Sequence, residues 1–194
     1  MTNYVFGYGS LILPESRALT IGEHGQATPI IMKGVERSFS LVASQYGLTA
    51  VSLSLNPAAR CTGVIFPVND EQLMLLDKRE EGYDRISMPM DFAEPLYKHP
   101  TLEGVVFAYA GQDSGAPTEE CPIVQSYLDV ILTGCIKEFG VDFANVFAST
   151  TNKWDHWLND RQKPRYPRAL ESVDTKTIDG ILERALPLAF ARRM

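Results

Sequence analysis

From Val35 to Leu41 the apolar residues Val35, Phe39 and Leu41 fall on alternating positions, with Arg37 between them. That period of two predicts a strand with one buried face. A second alternation, AVSLSLN, places Val51, Leu53 and Leu55 on one face and Ser52 and Ser54 on the other; Asn56 and Pro57 predict its end. The stretches CTGVIFPV and GVVFAYA are further strand candidates, and Tyr4–Phe6 predicts a short buried strand leading into a turn at Gly7–Ser10. Several connections are too short for crossover helices. A mainly antiparallel or mixed sheet is therefore expected, in a mixed α/β fold, rather than a doubly wound one.

Two segments carry a helical period instead. Asn69, with Gln72 three residues on, forms a capping-box pattern before QLMLLDKREE, and Gly82 supplies a stop. The second helix is predicted to start near Thr118–Pro122 and to run through IVQSYLDVILTGCIKEF to Gly140. Its inward face would hold Ile123, Tyr127, Val130, Ile131 and Cys135. Gly134 inside it costs about 1 kcal/mol in helix propensity relative to alanine, which suggests close packing there. After Phe143 come Trp154, Trp157, Tyr166 and three scattered prolines, read as short helices and extended chain wrapped on the core. The two tryptophans are spaced to share a helical face.

Composition narrows the function classes. At 194 residues and 45% apolar content the chain fits one domain with a substantial core. No run approaches a membrane span, and a cytoplasmic setting is expected. The charge is -6, and no basic aromatic stripe or reading motif argues for nucleic acid. Cys61, Cys121 and Cys135 are too scattered for a disulfide framework or a zinc site. With no metal-ligand spacing and no dinucleotide fingerprint, no cofactor is expected. His24, His99 and His156 suggest no catalytic triad.

The sharpest chemical clue is LMLLDKREEGYDR. Separations of three and four residues align Leu73, Leu76 and Glu80, whereas Met74, Lys78 and Glu81 follow another line. Glu80 thus extends an apolar stripe. A carboxylate so directed must be paired, solvated in a pocket or protonated. An ion pair with Arg37, Arg79 or Arg85 is one solution and a catalytic pocket another. A second clue is FGYGSLI. Gly7 and Gly9 can adopt positive φ, and successive N–H groups there can converge on an anion, with Ser10 adding a hydroxyl and Tyr8 a wall or phenolic hydrogen bond. A purely structural tight turn is the other reading. The spacing matches neither a P-loop nor a nucleophile elbow.

FGYGSLI and LDKREEGYDR, in that order, resemble the gamma-glutamylcyclotransferase superfamily, its AIG2-like and its cation-transport-regulator-like glutathione-degrading branches included. KGVERSFSL resembles the K-G-x-x-R-x-F strand of many members, and VQSYLDVILTG a family helix with a Tyr-Leu pair. The resemblance spans about Tyr4 to Gly140. It implies a barrel-like mixed sheet with packed helices, as a single domain over residues 1–194 in which 144–194 is an addition packed on the core. It further implies that Glu80 is the catalytic glutamate, that Tyr8, Gly9, Ser10 and Leu11 form the substrate-binding turn, and that Tyr127 helps complete the pocket, with Tyr83 also available to substrate. Where glutathione-degrading members have arginine-glutamate followed by paired glycines and tyrosine, this chain reads REEGY.

The implied reaction converts a gamma-glutamyl amine or dipeptide to 5-oxoproline and the free amine. The expected partner is a small anionic gamma-glutamyl metabolite, and the expected state a monomer or small homo-oligomer. An alternative is a non-catalytic small-metabolite-binding or interaction protein on the same scaffold; a third is an amide hydrolase or other transferase using the anion-binding turn. The C-terminal addition would act as a pocket lid, an interface or a structural brace.

Overall fold

The computed structural model describes residues 2–97 and 103–194; His99 lies outside the described residues. The chain runs β1 (Thr2–Gly7), α1 (Pro14–Ile21), β2 (Thr28–Ala43), β3 (Leu48–Val68), α2 (Asp70–Arg79), β4 (Tyr83–Met88), β5 (Ala93–Pro95) and β6 (Gly104–Gly111). Then follow β7 (Ile123–Val124), α3 (Gln125–Phe139), α4 (Val141–Ser149), β8 (Thr151–Asn152), β9 (Trp157–Leu158), α5 (Thr175–Ala185) and α6 (Pro187–Ala191). Among the described residues the main sheet is seven-stranded, in the order β4-β6-β1-β3-β2-β5 with β8 added on β2. β1 pairs parallel with β6 and antiparallel with β3, so the sheet is mixed. It curls into a half-barrel with helices packed against it.

The period-two reading holds on the apolar face, although Ser38, Ser40 and Ser52 on the opposite face are buried as well. Val35, Phe39, Val51 and Leu53 are buried as the alternation requires, but Leu55 is 75% exposed. AVSLSLN and CTGVIFPV are also not separate strands. β3 runs through both, and Asn56–Pro57 do not end it. The register passes from Val35↔Leu55 to Lys33↔Arg60, leaving residues 56–59 as a bulge opposite Gly34. Pro57 is tolerated there because a bulge asks no ladder N–H of it, and the bulge turns Leu55 outward.

α2 starts as its capping box predicts. Asn69 Oδ1 accepts from Gln72 N at 2.8 Å and Gln72 Oε1 accepts from Asn69 N at 3.0 Å, a cap worth about 1 kcal/mol. Gln72 Nε2 donates onward to the carbonyls of Ile21 and Glu23, locking α2 to the end of α1. The helix stops at Arg79 with Glu80 as its C-cap, and Gly82 takes φ +97°.

α3 begins at Gln125, later than its sequence predicts. Ile123 and Val124 are instead a short strand beside Trp157 and Leu158. Ile123 N donates to His156 O, so this segment is claimed by the C-terminal chain before it can join the helix. Tyr127, Val130, Ile131 and Cys135 are buried as expected, and Gly140 ends the helix at φ +86°. Gly134 does mark a close approach: a Cβ there would lie 2.7 Å from Leu13 N and 2.8 Å from Leu13 Cα. Trp154 and Trp157 do not sit on a helix, yet their rings meet at 5.4 Å and Trp154 packs edge-on against Phe39 at 4.9 Å. Phe147, Ile178 and Leu182 join the same apolar cluster as Phe39, Phe66 and Leu128. No helix among the described residues is long and apolar enough to cross a membrane.

Candidate functional site

β1 delivers the chain into the turn, where a 3₁₀ segment spans Ser10–Ile12. Neither Gly7 nor Gly9 uses a positive φ; Gly9 sits at φ -137°. The glycines are required by crowding instead. A Cβ on Gly9 would lie 2.9 Å from Val51 Cγ2 and 3.0 Å from the Tyr127 hydroxyl, and one on Gly7 would lie 3.0 Å from Leu11 Cβ. The N–H groups that open a helical turn have no acceptor within that turn, which leaves those of Ser10 and Leu11 available for other acceptors.

The turn is held from behind by Arg37, which is fully buried. Its guanidinium donates to the carbonyls of Tyr8, Thr62 and Phe147 and to the hydroxyls of Thr150 and Thr151, and stacks on the Phe147 ring at 3.7 Å. Because the Tyr8–Gly9 peptide is trans, its N–H is aimed opposite to the carbonyl that Arg37 grips. The Tyr8 hydroxyl donates to the Tyr109 carbonyl, so Tyr8 serves as a fixed wall.

α2 and the tight turn after it bring Glu80 to the same place. Glu80 N donates to Leu76 O at 2.9 Å and Tyr83 N to Glu80 O at 2.9 Å, which sets the Glu80 and Tyr83 side chains side by side. Leu73 and Leu76 are buried below Glu80 and Glu81 is exposed, as the helical lines require. The Glu80 side chain keeps 17% exposure and is ion-paired: Arg79 Nε lies 3.0 Å from Oε1. Burial raises the Glu80 pKa above the ordinary glutamate value, against the pull of the Arg79 and Arg168 guanidiniums. Burial likewise pushes up the phenols of Tyr8, Tyr83 and Tyr127, keeping all three neutral and able to donate.

These groups enclose one small cavity of about 60 Å³. Tyr8, Gly9, Ser10, Leu11, Glu80, Tyr83 and Tyr127 all line it, joined by Phe6, Gly7, Val51 and Tyr109. Ser10, Glu80, Tyr83 and Tyr127 also line a wider outer groove of about 490 Å³, whose far wall is Tyr166, Pro167 and Arg168. Among the described residues no His, Cys, Asp and Glu side chains gather as metal ligands would. Of the three arginines the sequence offered as partners for Glu80 it is Arg79 that pairs with it, and nothing local announces that the same side chain also reaches Ser10, Ser16 and Thr20. Arg37 was more legible, as a charge in phase with Val35 and Phe39.

The family model for gamma-glutamyl cyclotransferase, AIG2-like, matches residues 5–126. The chain belongs to that family. Both the glycine turn and the Glu80 turn lie inside the matched span, whereas Tyr127 and the Tyr166–Arg168 wall lie beyond it. Among solved structures, the chain is similar to a gamma-glutamyl cyclotransferase at 15% identity and TM-score 0.62, covering 93% of this chain and 98% of that one. An uncharacterized protein from Homo sapiens is similar at 16% identity and TM-score 0.55, over 93% of this chain and 98% of that one. YkqA from Bacillus subtilis matches 74% of this chain and 51% of its own at 18% identity and TM-score 0.54. At these identities the structures establish the shared fold. No curated protein sequence matches this one.

Proposed function

We propose that this family member is a gamma-glutamyl cyclotransferase, converting a gamma-glutamyl amine or dipeptide to 5-oxoproline and the free amine. The observation that carries this reading is the shared cavity: the one partly buried carboxylate of α2's end faces the same small space as the glycine turn.

The chemistry needs little from the protein beyond placement and one proton carrier. The glutamyl α-amine and γ-carbonyl belong to one flexible chain, and holding it folded converts attack into a five-membered ring closure. Glu80, as carboxylate, takes a proton from the α-ammonium; the freed amine bonds to the γ-carbon. The tetrahedral intermediate, its ring nitrogen having released its second proton to solvent, then breaks its bond to the leaving nitrogen, which receives the proton from Glu80. No water is consumed and no covalent enzyme adduct forms. The Arg79 pair keeps the carboxylate ionised and aimed, while burial raises its basicity toward that of the proton donor. Fixed N–H groups at the start of the 3₁₀ turn receive the negative oxygen atoms of the glutamyl unit. Ser10 has no nucleophilic role in this mechanism: its hydroxyl accepts from Arg79 Nη2 at 3.1 Å, and among the described residues no His/Asp relay stands beside it.

The Arg79–Glu80 ion pair also suits the second reading, a protein that binds such a metabolite without turning it over. Measuring 5-oxoproline release from a panel of gamma-glutamyl substrates, alongside calorimetric binding, separates the two. Glu80→Gln should lower kcat by about 10² or more while the folded variant still binds substrate. Full activity in that variant would remove Glu80 from the mechanism, and free glutamate as product would mean hydrolysis instead.

A further inference from the structure

The outer groove has a wall that the matched family span does not supply. Asp160, buried, accepts from Ser126 N at 2.7 Å, from the Ser126 hydroxyl at 2.6 Å and from Arg165 N at 2.7 Å. Tyr166 N in turn donates to the Ser126 hydroxyl at 3.2 Å, and the Tyr166 ring packs on Tyr127 at 4.9 Å. The C-terminal chain is thereby clamped to the start of α3, and Arg168 is fixed at the mouth of the Glu80 cavity.

The charges at that mouth do not balance. Arg79 and Arg168 both donate to the Thr20 hydroxyl, at 2.8 Å and 3.4 Å. Two guanidiniums thus converge beside one carboxylate, Glu80, which is taken by Arg79. Among the described residues no carboxylate pairs with Arg168, although it is exposed along the groove. Its charge reaches Glu80 and Arg79, favouring the ionised acid and repelling the second cation. Lys78 and Glu81 line the same groove and face solvent.

We propose that Arg168 is a specificity residue that binds a carboxylate on the departing amine, so that the protein prefers gamma-glutamyl amino acids over gamma-glutamyl amines lacking that group. The inference rests on the cyclotransferase reading of the cavity. The inner space takes the glutamyl unit, the scissile nitrogen lies at Glu80, and the leaving group extends into the outer groove toward Arg168. A planar, forked guanidinium with free donors suits a carboxylate there. The C-terminal addition then acts as a pocket wall that reads the leaving group.

The test uses two substrates that differ only by the carboxylate, gamma-glutamyl-alanine and gamma-glutamyl-ethylamide. The full-length protein should favour the first in kcat/KM, and Arg168→Gln should lower the ratio between the two by at least about tenfold, chiefly through KM. Arg168→Lys should restore part of it, and Lys78→Gln should change it less. An unchanged ratio in Arg168→Gln, or a ratio abolished by Lys78→Gln alone, overturns the assignment. Calorimetry on Glu80→Gln and Glu80→Gln/Arg168→Gln gives the same comparison without turnover. If neither substrate yields 5-oxoproline, the cyclotransferase reading fails, while the ratio of binding constants still decides whether Arg168 reads the carboxylate.

Discussion

Arg79 Nη2 donates to the Ser10 hydroxyl at 3.1 Å across 69 residues of sequence, while Nε of the same guanidinium holds Glu80 at 3.0 Å. One planar group therefore sets the separation between the two sides of the cavity. Its Nη1 is anchored in turn on Ser16 O and the Thr20 hydroxyl, both at 2.8 Å.

Arg79→Lys should accordingly behave as a loss. An ammonium on a flexible stem cannot reproduce a fork that meets Ser10, Ser16, Thr20 and Glu80 together. We expect 5-oxoproline formation to fall by about 10²-fold, the scale of a misplaced reacting group. Steady-state kinetics with a circular-dichroism melt checks this; retained kcat in a folded Arg79→Lys protein would show that the tie is dispensable.

The pH dependence follows from Glu80. A base with a raised pKa places the acid limb of kcat/KM above the ordinary glutamate range. Arg168 pulls that pKa down, so Arg168→Gln should move the limb to higher pH. For stability the sign runs the same way. The folded protein binds the Glu80 proton more tightly than the unfolded chain, so this contribution is complete below the unfolded pKa and is lost as pH rises through the folded one. Urea titrations across that window should show Glu80→Gln with a flatter profile than the parent.

Gly9 and Gly134 make opposite predictions about what fails. Gly9→Ala drives a methyl against Val51 and the Tyr127 hydroxyl, inside the cavity, and should cut turnover more than it lowers stability. Gly134→Ala gains about 1 kcal/mol of helix propensity but meets the backbone of Ile12 and Leu13, which cannot swing aside. Overpacking of about 1–3 kcal/mol should win, lowering the urea midpoint.

Arg37 is a buried cation whose compensation consists of carbonyls, hydroxyls and a ring face. Arg37→Met retains much of the volume yet takes the guanidinium away from the carbonyls of Tyr8 and Thr62, while Phe147 O keeps the Thr151 hydroxyl at 2.7 Å. A destabilisation of about 2 kcal/mol or more is expected from those two buried acceptors. A denaturation midpoint equal to that of the parent would contradict it.

The helix that carries Glu80 was legible because its information is local. A capping box, a three-four stripe and a glycine stop specify α2 between Asn69 and Gly82, and the phase of Glu80 against Leu73 and Leu76 follows from the helical repeat. The start of α3 was not legible. Ile123–Val124 fit the helical pattern, but their partner is Trp157–Leu158, more than thirty residues further on. β3 likewise read as two strands because proline is a local stop, whereas its tolerance depends on a bulge facing Gly34 across the ladder.

By itself, then, the sequence determined the core strands, the helix α2 with the body of α3, the inward direction of Glu80 and the order of the two family signatures. These depend on backbone periods and side-chain chemistry that neighbours in the chain already specify. Tertiary structure alone decided that crowding, and not positive φ, is what the glycine turn requires, that Arg79 joins that turn to Glu80, and that Arg168 stands at the mouth. Each of these depends on distances between groups far apart in the chain, which are fixed only when the core closes around them.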